Sequence, residues 1–286
     1  MKKKSEKIPS SGAGTASEFF ADNALRSAFR AGNSKRPGET EDTLFHGELK
    51  VFQRRTGHRF SLDALLLASF ATPRSRDTVA DLGAGNGVIA LILAYLYPSL
   101  AVTGVEVQLG MVDRATRNVR LNRLNDRVRI VHGDIRAIET FAEPGGYDLV
   151  VCNPPYRKTS SGRVSPDEEK KIARHEIKGT LYDFLRAGAY LLPVRGRIAV
   201  IYLADGLTDL AHGLRKLDIE PKRLRMVHSN LDSEASLVLV EGVKGGRSGI
   251  TVLPPLLVYE RDREYTTEVA AILAGKPGKR RSDHTK

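Results

Sequence analysis

From residue 78 onward, short solid apolar runs alternate with longer amphipathic stretches. Val79-Ala80-Asp81-Leu82 is the first such run, and Gly83-Ala84-Gly85-Asn86-Gly87 after it predicts a tight loop. Residues 88–96 predict a helix that Pro98 ends, 101–107 a strand, 108–121 a helix, and 128–132 and 147–152 two further strands. A helix over 180–192 closed by Pro193, a strand over 197–203 and a helix over 207–217 continue the alternation. Solid strands spaced by helices imply a parallel sheet covered on both faces, with right-handed crossovers. The pattern then changes. Residues 224–227 and 236–243 are joined by the short polar segment 229–234, which predicts an antiparallel hairpin. Residues 251–259 read as an extended element at an edge, because Pro254 and Pro255 cannot donate to a ladder. The expected fold class is α/β, with a seven-stranded, mostly parallel sheet and a C-terminal antiparallel hairpin.

Upstream of residue 78 the pattern is weaker. Residues 49–53 predict a short strand, and 54–58 a turn. Ser61 is placed to cap a helix running to residue 70, with Asp63 in its first turn and Pro73 beyond its end. Residues 1–43 are polar apart from Phe19, Phe20, Leu25 and Phe29, so they read as a flexible leader. Within it, 16–31 fit either a short amphipathic helix or an unstructured tail. The expected organisation is this leader, a main domain over 44–262 and a helix fragment with a basic tail over 263–286. Within the domain, 44–77 would cap the site and 157–178 would form a basic loop. No internal repeat is visible.

Composition narrows the class. No apolar stretch is long enough to span a membrane, and no apolar run follows the basic start as a secretory signal requires. Cys152 is the single cysteine, so no disulfide framework exists and a reducing, cytoplasmic setting is expected. It lies inside a strand and reads as a small buried filler, not a nucleophile. The seven histidines show no metal-ligand spacing, so no metal is expected. Lys and Arg total 45 against 34 Asp and Glu, a net charge of +11, which favours an anionic partner, nucleic acid first.

The loop after the first strand carries the first chemistry. Glycines there let backbone approach a ligand closely. A dinucleotide clamp needs a glycine at 88, where this chain has Val88. The spacing Asp81-x-Gly83-x-Gly85-x-Gly87 instead resembles the first motif of class I S-adenosylmethionine-dependent methyltransferases, which have a Rossmann-like fold. The resemblance implies S-adenosylmethionine as cofactor. It also implies that Glu106, with Val107 beside it, takes the ribose hydroxyls and that Asp134 and Ile135 meet the adenine ring. Singly, Asp81 could cap a turn and Glu106 could be a solvated strand end. In order, at the carboxyl ends of successive strands, they mark a ligand crevice.

Asn153-Pro154-Pro155-Tyr156, closing the fourth strand, resembles the acceptor motif of amino-methyltransferases. An aromatic amine is a poor nucleophile because its lone pair is delocalised. The Asn153 side-chain oxygen and the Pro154 carbonyl can each accept one N–H bond, which aims the lone pair at the donor and stabilises positive charge developing on nitrogen. The prolines fix the carbonyl direction, and Tyr156 offers a stacking face for a base.

A further block, Gln53, Gly57, Arg59-Phe60-Ser61-Leu62-Asp63-Ala64, together with Ala173-Arg174-His175-Glu176, resembles the bacterial tRNA (adenine-N6)-methyltransferases. That resemblance covers about residues 45–260. It implies an adenine near the anticodon of a tRNA as acceptor, and Gln53, Arg55, Phe60 and Asp63 closing over the methionine end of the donor, with Asn153 reaching the donor as well. Phe60 and Asp63 also fit a helix staple and a first-turn acid. Arg157, Lys158, Arg163, Lys170, Lys171 and Arg174 would grip phosphates beside the pocket, or belong to a solvated loop balanced by its own acids. Three alternatives stay open: a protein glutamine N5-methyltransferase, a ribosomal RNA guanine N2-methyltransferase, and an S-adenosylmethionine-binding RNA chaperone. Catalysis on the leading reading needs no second subunit, so a monomer suffices.

Overall fold

The computed structural model describes residues 34–55, 61–156, 179–260 and 264–276. Two strands, β1 (Glu39–Leu44) and β2 (Leu49–Arg54), form an antiparallel hairpin ahead of the main sheet. Helix α1 (Leu62–Phe70) follows. The alternating core then runs β3 (Thr78–Leu82), α2 (Val88–Leu96), β4 (Ala101–Glu106), α3 (Leu109–Leu121), β5 (Val128–His132), β6 (Leu149–Cys152), α4 (Leu181–Leu191), β7 (Arg197–Leu203) and α5 (Leu207–Lys216). Next come β8 (Ile219–His228), β9 (Ala235–Lys244), the two-residue strands β10 (Thr251–Val252) and β11 (Leu256–Leu257), and α6 (Thr267–Leu273).

Sheet order is β5-β4-β3-β6-β7-β9-β8, with β10 and β11 both on the outer edge of β8. Strands β3 to β7 are mutually parallel, while β9 runs antiparallel between β7 and β8. This bears out the seven-stranded expectation and adds the two short strands, set around Pro254 and Pro255 as an edge allows. The order reverses beside β3, so the carboxyl ends of β3, β4 and β6 open onto one crevice, the usual ligand position in such sheets.

Side chains on successive strand positions point to opposite faces, and each face has its own apolar core. Val151 lies in one core with α1, α2 and α6; Val150 and Cys152 lie in the other with α4 and α5. A strand buried on both sides must be apolar throughout, which is why β6 reads as Leu-Val-Val-Cys. Burial pushes the Cys152 thiol well above its usual range, as suits a packing residue.

The polar leader was expected to reach residue 43; instead β1 begins at Glu39. Alternating acids and threonines hide it, because its buried end residue is a charge. The Glu39 carboxylate is 5% exposed and accepts bonds from Arg114 at 2.9 Å, from both terminal nitrogens of Arg117 at 2.7 and 2.9 Å, and from the Arg36 backbone N–H. Burial alone would raise its pKa, but these donors hold it at about 2. The helix considered for 16–31 lies outside the described residues. No helix among the described residues is long and apolar enough to cross a membrane.

Candidate active site

At the carboxyl ends of β3, β4, β5 and β6 lies one cavity. Its walls include Gly83 and Gly85 of the loop, Glu106 at the end of β4 and Val107 after it, Asp134 and Ile135 after β5, and Asn153 and Pro155 after β6. Four separate strand ends thus bring eight of the residues singled out above onto one surface.

The glycine loop is shaped for close approach. Gly83, Gly85 and Gly87 all have positive φ, at 70°, 58° and 81°. A side chain at Gly83 would strike the Phe184 ring at 2.8 Å, whereas one at Gly85 would enter open space. Gly87 caps α2 from the left-handed region. Behind the loop, Asp81 is fully buried. Its Oδ2 accepts the Ala90 N–H at 3.2 Å, and its Oδ1 meets no hydrogen-bond partner among the described residues. Burial pushes its pKa up to about 7; the Ala90 bond opposes this, and the nearby Glu106 charge adds to it.

Glu106 is buried and held from both sides. Its Oε2 accepts the Gly85 N–H at 2.9 Å, and its Oε1 accepts the Gln108 N–H at 2.8 Å. The carboxylate therefore braces the glycine loop while keeping lone pairs for a ligand. Asp134 caps the short 3-10 turn Ile135–Thr140 and is clamped by Arg136, whose guanidinium holds the carboxyl below its usual range.

At the acceptor motif, the half-buried Tyr156 packs edge-on against Tyr202, with ring centroids 5.8 Å apart. Its hydroxyl donates to Asp63 Oδ2 at 3.0 Å, which joins the end of β6 to the start of α1. Burial and then the Asp63 charge push the phenol far above its usual range, so it stays a donor.

The block expected to cover the donor is arranged differently. Gln53 is buried within the hairpin and donates to Asp42, because its β2 position faces inward beside β1. Arg55 is exposed just past β2. Asp63 is engaged by Tyr156, and the Ser61 side chain makes no capping bond. None of Gln53, Arg55 and Asp63 lines the cavity. Phe60, and Arg157, Lys158, Arg163, Lys170, Lys171 and Arg174 of the basic segment, lie outside the described residues. Sequence reasoning missed Gln108, Met111 and Phe184, which line the cavity from α4 and the start of α3. Gln108 and Met111 were findable as the first turn after Glu106. Phe184 carries no local signal, since only the crossing of α4 brings it under Gly83.

The comparisons agree with this geometry. The model of the methyltransferase small domain matches residues 59–173. A Porphyromonas gingivalis protein named tRNA1(Val) (adenine(37)-N6)-methyltransferase is 33% identical over 175 residues, spanning 59% of this chain and 68% of that protein. A Dyadobacter fermentans protein of the same name is 26% identical over 220 residues, covering 75% of this chain and 88% of it. Among solved structures, a predicted O-methyltransferase from Agrobacterium tumefaciens matches 75% of this chain and 96% of its own, at 21% identity and a TM-score of 0.63, a likeness of fold. The sheet order, the crevice at its reversal and these matches define an enzyme of the class I methyltransferase fold. Within that class, the chain belongs to the tRNA1(Val) (adenine(37)-N6)-methyltransferase family.

Proposed function

We propose that this protein transfers a methyl group from S-adenosylmethionine to the exocyclic N6 of an adenine in a tRNA, near the anticodon. The observation that carries the reading is that Asn153 and Pro155 of the acceptor motif line the same cavity as the glycine loop and Glu106. This supports a reading in which donor and acceptor chemistry share one chamber.

The residues present fit the donor. Asp81, behind the cavity wall, is a buried carboxylate with one oxygen unpartnered among the described residues, which suits a cationic amino group. Gly85 leaves open space where a side chain would intrude. Glu106 can accept hydroxyls, and Val107 and Ile135 offer apolar surface to a planar ring that Asp134 can bond at its edge. When bound, the donor supplies an electrophilic methyl group on a good leaving group. Asn153 and the Pro154 carbonyl accept the amine's two N–H bonds and fix the lone-pair direction. Tyr156 holds the end of the motif through Asp63 and Tyr202, and presents its remaining ring surface to the base. No strong base is required, since the proton can leave to water after transfer.

Asn153→Ala is expected to bind donor nearly as well as wild type but to transfer about 100-fold more slowly, a loss of roughly 3 kcal/mol of transition-state stabilisation. Calorimetry with the donor beside a methyl-transfer assay measures both; retained transfer would refute the role of Asn153. Nucleoside mass spectrometry of tRNA and of ribosomal RNA, with peptide mass spectrometry of protein, from cells with and without the protein tests the substrate. Loss of N6-methyladenosine supports the reading, whereas loss of a methylated guanine, or of methylation on a protein glutamine, would replace it with one of the alternatives.

A further inference from the structure

Asn118 on helix α3 and Asn122, the residue that caps its C-terminus, stand about one turn apart, and both bond to the backbone of β2. The Asn122 side chain accepts the Lys50 N–H at 2.8 Å and donates to the Lys50 carbonyl at 2.7 Å. Asn118 does the same two residues on, accepting the Phe52 N–H at 2.7 Å and donating to the Phe52 carbonyl at 3.2 Å. Lys50 and Phe52 present their N–H and C=O groups to the same edge because the strand repeats every two residues. Side-chain amides spaced four apart on a helix thus act as a neighbouring strand for an edge that β1 leaves open.

Asn118 differs from Asn122 in two respects. It is completely buried, and its second amide hydrogen donates to the Asn86 carbonyl at 2.9 Å. Asn86 lies between Gly85, which lines the cavity, and Gly87, which caps α2. One side chain therefore joins the hairpin, helix α3 and the glycine loop. Glu106 braces the neighbouring Gly85, the Val105 carbonyl accepts the Gly83 and Ala84 N–H groups at 2.9 and 3.0 Å, and the Gly87 N–H closes a turn on the Ala84 carbonyl at 2.8 Å. Gly85-Asn86-Gly87, with two left-handed glycines, has little rigidity of its own, so the side-chain bonds from Asn118 and to Glu106 add to these backbone bonds in setting where the loop tip lies.

We infer that Asn118 is a positioning residue for the donor loop, an inference that rests on the donor-site reading above. It touches no reacting atom. It holds the Asn86 carbonyl so that the Gly85 backbone faces the cavity, and it transmits the seating of the β1–β2 hairpin to that loop. Asn122 clamps the same strand without reaching the loop, so it serves as the internal control.

The test compares Asn118→Ala and Asn122→Ala in the full chain. S-adenosylmethionine affinity is measured by calorimetry, thermal stability by circular dichroism, and methyl transfer to tRNA from cells lacking the protein. Both variants should melt lower than wild type. Asn118→Ala should bind the donor about tenfold more weakly, the scale of one lost buried hydrogen bond. Its kcat at saturating donor should stay within about threefold of wild type, as expected when ground state and transition state lose the same contact. Asn122→Ala should keep wild-type donor affinity. Should Asn118→Ala not fold, Asn118→Ser carries the comparison, because one short hydroxyl cannot bridge strand and loop together. Donor affinity unchanged at position 118, or weakened equally at 122, overturns the inference while leaving the donor site standing. Failure of the wild-type chain to bind the donor overturns the site reading and the inference with it.

Discussion

The glycine-rich loop and the N-terminal hairpin both rest against helix α3, and they are held there by opposite means. The loop is fitted closely by shape around the bond from Asn118. A side chain on Gly87 would come within 3.2 Å of the Ala115 methyl, and one on Gly104 within 2.9 Å of Ala84 and Ile130. The hairpin is held by charge and amide bonds: Glu39 to Arg114 and Arg117, with the Arg117 guanidinium 5.5 Å above the Phe52 ring. A loop that must bring backbone to a ligand needs small residues on both sides. A hairpin that only has to be seated can use long side chains, provided every buried charge is answered.

The largest effect should come from breaking the charged side of this contrast. Glu39→Ala leaves Arg114 and Arg117 buried without their carboxylate, although Asp113 still reaches Arg117 at 3.2 Å. Removing one partner of a buried network typically costs about 3–5 kcal/mol, and chemical denaturation would measure it. The same pair gives a pH signature. The Glu39 carboxyl is held at about 2, below its ordinary value of 4.5, so its contribution is complete above pH 4.5 and is lost as pH falls toward 2. Glu39→Ala should flatten that acid limb. A variant as stable as wild type would mean that shape alone seats the hairpin too.

Asp81 carries the opposite sign. Its folded-state pKa of about 7 stands above the ordinary 3.8, so the stability tied to its protonation is complete below pH 3.8 and is lost as pH rises toward 7. Asp81→Asn should therefore gain on wild type in thermal stability as pH climbs through that window, by a few kcal/mol at most. On the donor-site reading, a cationic ligand favours the ionised carboxylate. Wild-type donor affinity should then rise from pH 5 toward pH 7, and the variant's profile should be flat and weaker. A flat wild-type profile would remove Asp81 from the donor site.

These two acids also show what could be read without coordinates. The Asp81 motif was legible because its signal is local: an acid and three spaced glycines within seven residues, at the end of an apolar strand. Strands β3 to β7 were legible for the same reason, with Gly and Pro marking their ends. Glu39 was not, because its counter-charges lie 75 and 78 residues further along the chain. A buried acid in an acidic stretch looks like solvated leader until the fold supplies the arginines. Phe184 under Gly83 and Asn118 under Asn86 were hidden likewise, since a helix residue's partner across the sheet leaves no mark on its neighbours in sequence.

Gly87→Ala probes the shape-held side directly. It would force a side chain into φ 81° and press its Cβ on Ala115. The backbone strain alone should cost about 1–2 kcal/mol, with donor affinity falling as the loop shifts. Thermal melting with and without donor separates the two effects. A loss of stability under about 0.5 kcal/mol, the range of ordinary surface substitutions, would show that the loop yields where the shape account says it cannot.

The smallest effect belongs to a contact that fits neither side of the contrast. The Tyr156 hydroxyl and Asp63 join the acceptor motif to α1 by a single bond of 3.0 Å. Tyr156→Phe keeps the ring and its edge-on contact with Tyr202, and leaves Asp63, which is only partly buried, open to water. Loss of one such bond should cost about 1 kcal/mol of stability. If the bond also fixes the motif relative to the donor cavity, kcat should drop several-fold while donor affinity holds. Asp63→Asn is the sharper companion: its side-chain carbonyl still accepts the phenol proton, so it should retain most of what Tyr156→Phe loses. Were Asp63→Asn as slow as Tyr156→Phe, the charge on Asp63 and not its bond to Tyr156 would be what the site uses, and α1 would join the donor side of the molecule.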